Sequence, residues 1–134
     1  LIPNNCIDTF NLAITEANGS GDFGERLTET VVLNPGEICT DTFISIGAFS
    51  EKSQAQNLAK YLKTKFARAL LSVRKVTQHN PNSVWTEIPL QDFTGVSDVE
   101  WSASVEEIDK QLFSKYKLSQ TEQEFISNNV QVMN

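Results

Sequence analysis

One histidine and two cysteines, Cys6 and Cys39, are all that this 134-residue sequence offers a zinc-type metal. They do not stand at the short spacings such a site needs, so zinc chemistry is excluded and the cysteines read as reduced, partly buried thiols. No apolar run approaches the ~20 residues of a membrane-spanning helix, and no basic-then-apolar leader opens the chain. A membrane partner is therefore not expected, and the expected compartment is the cytoplasm. No aspartate or glutamate stands two residues before a lysine. Metal-dependent nucleases commonly use such a carboxylate-x-lysine pair, so this sequence lacks their usual signature.

The most informative absence is a local one. From Lys52 to Thr86 there is no acidic residue, yet seven basic ones fall there: Lys52, Lys60, Lys63, Lys65, Arg68, Arg74 and Lys75. Residues 1–51 carry one basic and eight acidic residues, and residues 87–134 carry three and nine. The three segments hold charges of −7, +7 and −6 within a chain of formal charge −6. Net acidity by itself suggests no polyanion partner. Phosphate contacts, however, depend on local cation density. Composition is otherwise ordinary for a globular protein, with 40% hydrophobic and 21% charged residues, and the length suits one domain.

Residues 9–14 alternate apolar and polar, as a half-buried strand does. Asn18-Gly-Ser-Gly-Asp22, with Gly24 beyond, has turn chemistry. Thr28–Leu33 and Thr40–Phe49 read as strands joined at Asn34-Pro35-Gly36, which suggests a hairpin. Ser50 is placed to cap a long helix over 51–75. Its Ala55, Leu58, Leu62, Phe66, Ala69, Leu70 and Val73 form one apolar face, and the basic residues spread over the other. His79–Ser83 breaks the chain, Val84–Leu90 reads as another strand, and Asp92–Ala103 as a loop. Ser104-Val-Glu-Glu107 and Ser119-Gln-Thr-Glu122 are capping-box patterns that predict helices at about 105–116 and 120–129. The chain opens at Leu1 as if in mid-strand, so a fragment of a longer polypeptide is expected. The expected fold is α+β: a small mixed or antiparallel sheet packed against a long basic amphipathic helix. Residues 1–97 would form the core and 98–134 a C-terminal helical extension.

Two motif-like stretches have simpler readings. Gly19-x-Gly21-x-x-Gly24 fits the formula of a dinucleotide loop, but such a loop requires a helix after it, and Arg26–Leu33 is β-like. Asn34-Pro35-Gly36-Glu37 lacks the second proline and the aromatic residue of an Asn-Pro-Pro-Tyr loop, and a hairpin turn accounts for it. His79, beside Asn80-Pro81, reads as a loop or contact residue rather than a base. No residue is assigned a catalytic role.

Charge runs on helices are usually solvated faces. Here, though, no acidic partner stands at i±3 or i±4 between Lys60 and Lys75, so the charges repel without intrahelical relief. They also continue through Arg74-Lys75 into Thr77, Gln78, His79 and Asn80, whose side chains suit phosphates or base edges. Nucleic-acid binding is the favoured reading.

These residues also carry a resemblance. Asn57-Leu-Ala-Lys-Tyr-Leu-Lys-Thr-Lys-Phe66, continuing through Arg68, Leu70-Leu-Ser72 and Arg74-Lys75, resembles the C-terminal region of fused type II restriction–modification adenine methyltransferases. Ala17-Asn-Gly-Ser-Gly21 with Phe23-Gly-Glu25, Thr42-Phe-Ile-Ser-Ile-Gly47, Ile88-Pro-Leu-Gln-Asp-Phe93, and Glu107-Ile-Asp109 through Lys115-Tyr116 to Leu118-Ser119 are similar in the same order. In that family a methyltransferase domain binds S-adenosylmethionine and methylates the adenine amino group in a short DNA sequence. A C-terminal region supplies target recognition, and some members carry a nuclease.

The resemblance implies a non-catalytic role in recognising double-stranded DNA, beside the methyltransferase domain of the same polypeptide. It implies no cofactor in this chain, and S-adenosylmethionine for the missing domain. Charge and position then nominate the contacts. Lys60, Lys63, Lys65, Arg68, Arg74 and Lys75 would hold phosphates, and Thr77, Gln78, His79 and Asn80 would lie in a groove. The bare backbone at Gly19, Ser20 and Gly21 would approach DNA closely. One rival is a docking module whose basic helix meets an acidic face of the same enzyme. Another is a nuclease domain, which the missing carboxylate-x-lysine pair argues against.

Overall fold

A computed structural model describes residues 7–15, 23–27, 29–38, 42–74, 85 and 88–133, with the backbone alone at 73 and 74. Its sheet is built around β1 (Phe10–Thr15), which is flanked by β2 (Val31–Leu33) and β3 (Phe43–Phe49) in the order β2-β1-β3. Both pairings are antiparallel, and Leu12 faces Val32 on one side and Ile46 on the other. The expected hairpin between the second and third strands is thus replaced: each pairs with β1 instead of with the other.

The central strand is also more buried than its alternation implied. Asn11, Leu12, Ala13 and Ile14 are all at most 3% exposed. Burial of the polar-face positions is possible because Ala13 is small and the Asn11 amide donates to the Thr9 carbonyl at 3.0 Å. Opposite Asn11 stands Gly47. A Cβ there would collide with the Asn11 amide and with the Phe10 carbonyl, so only glycine fits.

The expected long helix is two helices. α1 (Lys52–Lys63) ends at Thr64, whose ψ of 150° is extended, and α2 (Lys65–Arg74) begins again at once. The capping position of α1 is Glu51, one residue beyond the expected Ser50. Thr64 explains the interruption in part. Its hydroxyl donates to the Tyr61 carbonyl at 2.6 Å and accepts the Ala67 N–H at 3.2 Å, so it closes one helix and caps the next. Two further N–H groups at the start of α2, those of Lys65 and Phe66, donate to the two carboxylate oxygens of Asp109, each at 2.9 Å. Apolar periodicity continues across the interruption, from Leu62 to Phe66, and so conceals it.

Asp109 belongs to α3 (Val105–Lys115), which α4 (Gln120–Asn129) follows. These two helices begin where the serine caps predicted. Ser104 accepts the Glu107 N–H, and Ser119 and Glu122 cap each other reciprocally. Leu12, Ile14, Leu58, Leu62, Trp101, Ile108 and Leu112 share one buried cluster, which joins sheet, first helices and C-terminal segment. The strand expected at Val84–Leu90 is absent where the chain is described. Trp85 and Ile88, fully buried, are linked by a turn in which the Ile88 N–H donates to the Trp85 carbonyl at 3.2 Å. Their spacing of three is that of a helical turn, whereas inward positions on a strand would differ by two.

Burial raises the Asp109 carboxyl above its ordinary 3.8, against the pull of the two N–H donors and of the Arg68 and Lys65 charges. The folded state therefore holds that proton more readily than the unfolded chain. This group's contribution to stability is greatest at low pH and falls as pH rises from about 3.8 through the folded value. Asp109→Ala is expected to lower the unfolding free energy by roughly 1–3 kcal/mol, because buried donors lose their acceptor. In Asp109→Asn the pH-dependent part should vanish. Urea titrations across that window check this, and a constant stability difference between wild type and Asp109→Asn at every pH would contradict it.

Candidate nucleic-acid interface

The basic residues of α1 and α2 meet quite different surroundings. Lys60 leans against the segment that leads into α3, and its ammonium donates to the carbonyls of Trp101 at 2.7 Å and Ala103 at 2.9 Å. Trp101 is fixed in turn, with its indole N–H on the Asp92 carbonyl at 2.7 Å. The Lys65 ammonium donates to the Ser127 carbonyl in α4 at 2.8 Å, where a helix C-terminal half favours a cation. The ammonium of Lys63, half-buried at the end of α1, is hydrogen-bonded to no described residue and forms no ion pair with one.

Arg68 departs furthest from expectation. It is 1% exposed, and its donors go to backbone carbonyls of Lys63, Gly24 and Glu25. Desolvation pushes the guanidinium down to about 10, the Asp109 charge opposes that shift, and Arg26 adds to it. An exposed phosphate clamp at Arg68 is therefore ruled out by its burial. The cationic front expected along a single helix is covered instead by residues 99–103, by the C-terminal helices and by residues 23–27. The charges are relieved by carbonyl dipoles from distant segments, which no local spacing rule reveals.

Of the remaining nominated residues, Arg74 closes α2 and its side chain lies outside the described residues. Lys75, Thr77, Gln78, His79, Asn80, Gly19, Ser20 and Gly21 also lie outside them. The far end of the glycine-rich stretch is described, and it faces inward. Gly24 has φ +72°, and a Cβ there would lie 2.6 Å from both the Asn129 carbonyl oxygen and Val130 Cα. Its N–H donates to the Ser72 hydroxyl at 2.9 Å and its carbonyl accepts from the Gln131 N–H at 2.9 Å. Gly24 ties α2 to the C-terminal segment, and that is a structural role.

A groove of about 800 Å³ runs between the entry to β2, the outer side of α1 and residues 94–102. Glu29, Gln56, Asn57, Lys63, Thr94 and Ser102 are among the side chains that line it. Asn57 also holds its wall in place by donating to the Phe93 carbonyl at 2.8 Å. Gly95 faces open space, where a Cβ would meet nothing within 4 Å. The lining offers amides, hydroxyls, the Lys63 ammonium and the carboxylates of Glu29 and Glu100, which suits hydrogen bonding to a polar ligand. None of Gln56, Asn57, Thr94 or Gly95 stood out in the sequence. The available signal was Asn57, an amide between apolar positions 55 and 58.

Among the described residues no three histidine, cysteine, aspartate or glutamate side chains gather as a metal site, and no helix is long and apolar enough to cross a membrane. Comparison with protein-family models, with curated proteins and with solved structures gives no match for this chain.

Lys60 and Lys63 are one turn apart and should behave in opposite ways. Lys60→Ala removes two charge-assisted bonds and is expected to destabilise the fold by roughly 1–3 kcal/mol. Lys63→Ala should change stability by no more than about 0.5 kcal/mol, as at ordinary surface sites. Thermal denaturation of the two variants measures the contrast, and equal losses would mean that Lys63 is also a structural tie.

Proposed function

We propose that this chain is a non-catalytic DNA-recognition domain of a restriction–modification adenine methyltransferase polypeptide that acts in the cytoplasm. The observation that carries the proposal is the acid-free window of seven cations from Lys52 to Thr86, between two acidic segments. The Lys63 ammonium, without a partner among the described residues and beside a groove lined by amides, hydroxyls and the carboxylates of Glu29 and Glu100, supports it further. Phosphate contacts fall to Lys63, to Lys65 through its remaining donors, to Arg74 at the end of α2, and to Lys75, the next residue in the sequence. Thr77, Gln78, His79 and Asn80 are the candidates for base edges, because phosphate contacts position a protein while groove contacts specify sequence. Lys60 and Arg68 leave the contact set and act as internal ties. S-adenosylmethionine belongs to the methyltransferase domain in this reading, and that domain is the chain's covalent neighbour.

The rival reading is a docking module of the same enzyme. It is favoured by the internal commitment of Lys60 and Arg68 and by the exposure of Leu90 and Val96, at 74% and 90%. Salt dependence separates the two readings. With about four phosphate contacts, the slope of log affinity for duplex DNA against log salt should be roughly −3 to −4, from about −0.9 per contact. Fluorescence anisotropy with labelled duplexes between low and moderate salt gives that slope. A value near zero, together with tight salt-dependent binding to the methyltransferase domain, would favour docking.

A further inference from the structure

Beside the groove, and separated from it by Lys63, lies a second cavity of about 450 Å³ between the start of α2, α3 and the C-terminal segment. Its deep wall includes Arg68 and Phe113, both buried, and its rim includes Lys63, Lys65, Lys110 and Ser127. Two carboxylates also line it, and both have other partners. Asp109 accepts the two N–H groups of α2, and Glu106 stands 3.9 Å from the Lys110 ammonium.

Arg68 is the unusual member. A guanidinium that is 99% buried is ordinarily matched by a carboxylate. Here its hydrogen bonds, at 3.1 to 3.5 Å, all end on neutral carbonyls. No described carboxylate forms an ion pair with it, and its Nε–H has no acceptor. Carbonyl dipoles orient a cation without cancelling its charge. The Asp109 carboxylate on the same wall offsets that charge in part. With Lys63, Lys65 and Lys110 on the rim, the lining stays net positive in a poorly solvated place, where attraction for an anion is stronger than at a surface. Lys63 adds an ammonium with no competing partner among the described residues, and Lys65 adds one with donors to spare.

We infer that this cavity is a binding site for a single phosphate group, with the Lys63 and Lys65 ammonium groups as its direct donors and the buried Arg68 as the charge that draws the anion in. Phosphate fits better than a carboxylate because three cations converge on one opening, and a phosphate presents more oxygens and more charge to share among them. The group can come from a DNA backbone or from a free phosphorylated nucleotide. The site stands independently of the DNA-recognition reading, and the experiment tells them apart.

The test is a titration of the full chain with inorganic phosphate, followed through the Nε–Hε resonance of Arg68 in ¹H–¹⁵N spectra, with chloride at matched ionic strength as the control. Phosphate should move that resonance saturably while chloride leaves it in place. Lys63→Ala, which leaves the fold intact on the argument above, should weaken the phosphate response about tenfold, as loss of one charge-assisted contact implies. A response identical for chloride and phosphate, or one that Lys63→Ala leaves unchanged, would overturn the inference. Repeating the titration with a short duplex and with adenosine monophosphate identifies the source. If the duplex reproduces the shift, the group belongs to DNA. If only the mononucleotide does, the site is a nucleotide site, and Lys63 and Lys65 leave the set of DNA contacts.

Discussion

The arrangement rests on one carboxylate. Asp109 reaches from α3 to the first two N–H groups of α2 and takes both. A helix that restarts inside a protein exposes donors that must find acceptors, and here the Phe66 N–H is buried and the Lys65 N–H partly so. Thr64 satisfies one donor and Asp109 two more, so the chain can bend at Thr64 without leaving orphaned groups. The same bonds fasten the C-terminal helices to the body of the fold. Bend, helix pairing and placement of the C-terminal segment thus all draw on this contact, together with Thr64 at the bend and Gly24 at the C-terminal segment. Its cost is visible in the raised Asp109 pKa: desolvation outweighs the hydrogen bonds and the nearby cations.

The same economy governs the cations. Lys60, Lys65 and Arg68 each reach a carbonyl from a segment remote in sequence: 101 and 103, 127, and 24 and 25. The absence of acidic partners at i±3 and i±4 was correct as a statement about the helix alone. It did not follow that the charges were unrelieved. A long side chain can carry its charge to a helix end or a loop carbonyl several turns away, and tertiary contact decides which one it finds.

What could be read from the sequence follows from how local each signal is. The two serine-capped helices at the C-terminal end were legible to within a residue, because a capping box is a contact between residues three apart. The strand segments Val31–Leu33 and Phe43–Phe49 were legible too, yet their pairing was not. Turn chemistry at Asn34-Pro35-Gly36 marks a turn without naming the partner on either side, and β1 occupies the middle of the sheet. The break at Thr64 was hidden because threonine is tolerated within a helix. Its acceptor partner is also 45 residues downstream, in a pattern, Ile108-Asp109, that reads as an ordinary amphipathic edge. The strand expected near Trp85 failed for the same reason in reverse. Trp85 and Ile88 stand three apart, and burial of both fits a turn and not one face of a strand.

The distinction between charge and contact carries the functional argument. Hydrogen bonding Lys60, Lys65 and Arg68 to neutral carbonyls removes them wholly or partly from the set of groups that can grip a phosphate, but it does not remove their charge. Each remains a cation held at a fixed point. The positive field of the Lys52–Thr86 window therefore persists, although fewer side chains are free to touch a ligand. Such a field acts over about a Debye length, ~8 Å at physiological salt, and mainly raises the rate at which a polyanion arrives. Residence depends on groups that can still form short bonds, and among the described cations of the two helices Lys63 is the clearest of these. In the DNA-binding reading proposed above, the acidic segments on either side would repel a duplex that approaches elsewhere. A domain built this way would orient a duplex before gripping it, with a rigid field for steering and a small number of free donors for register.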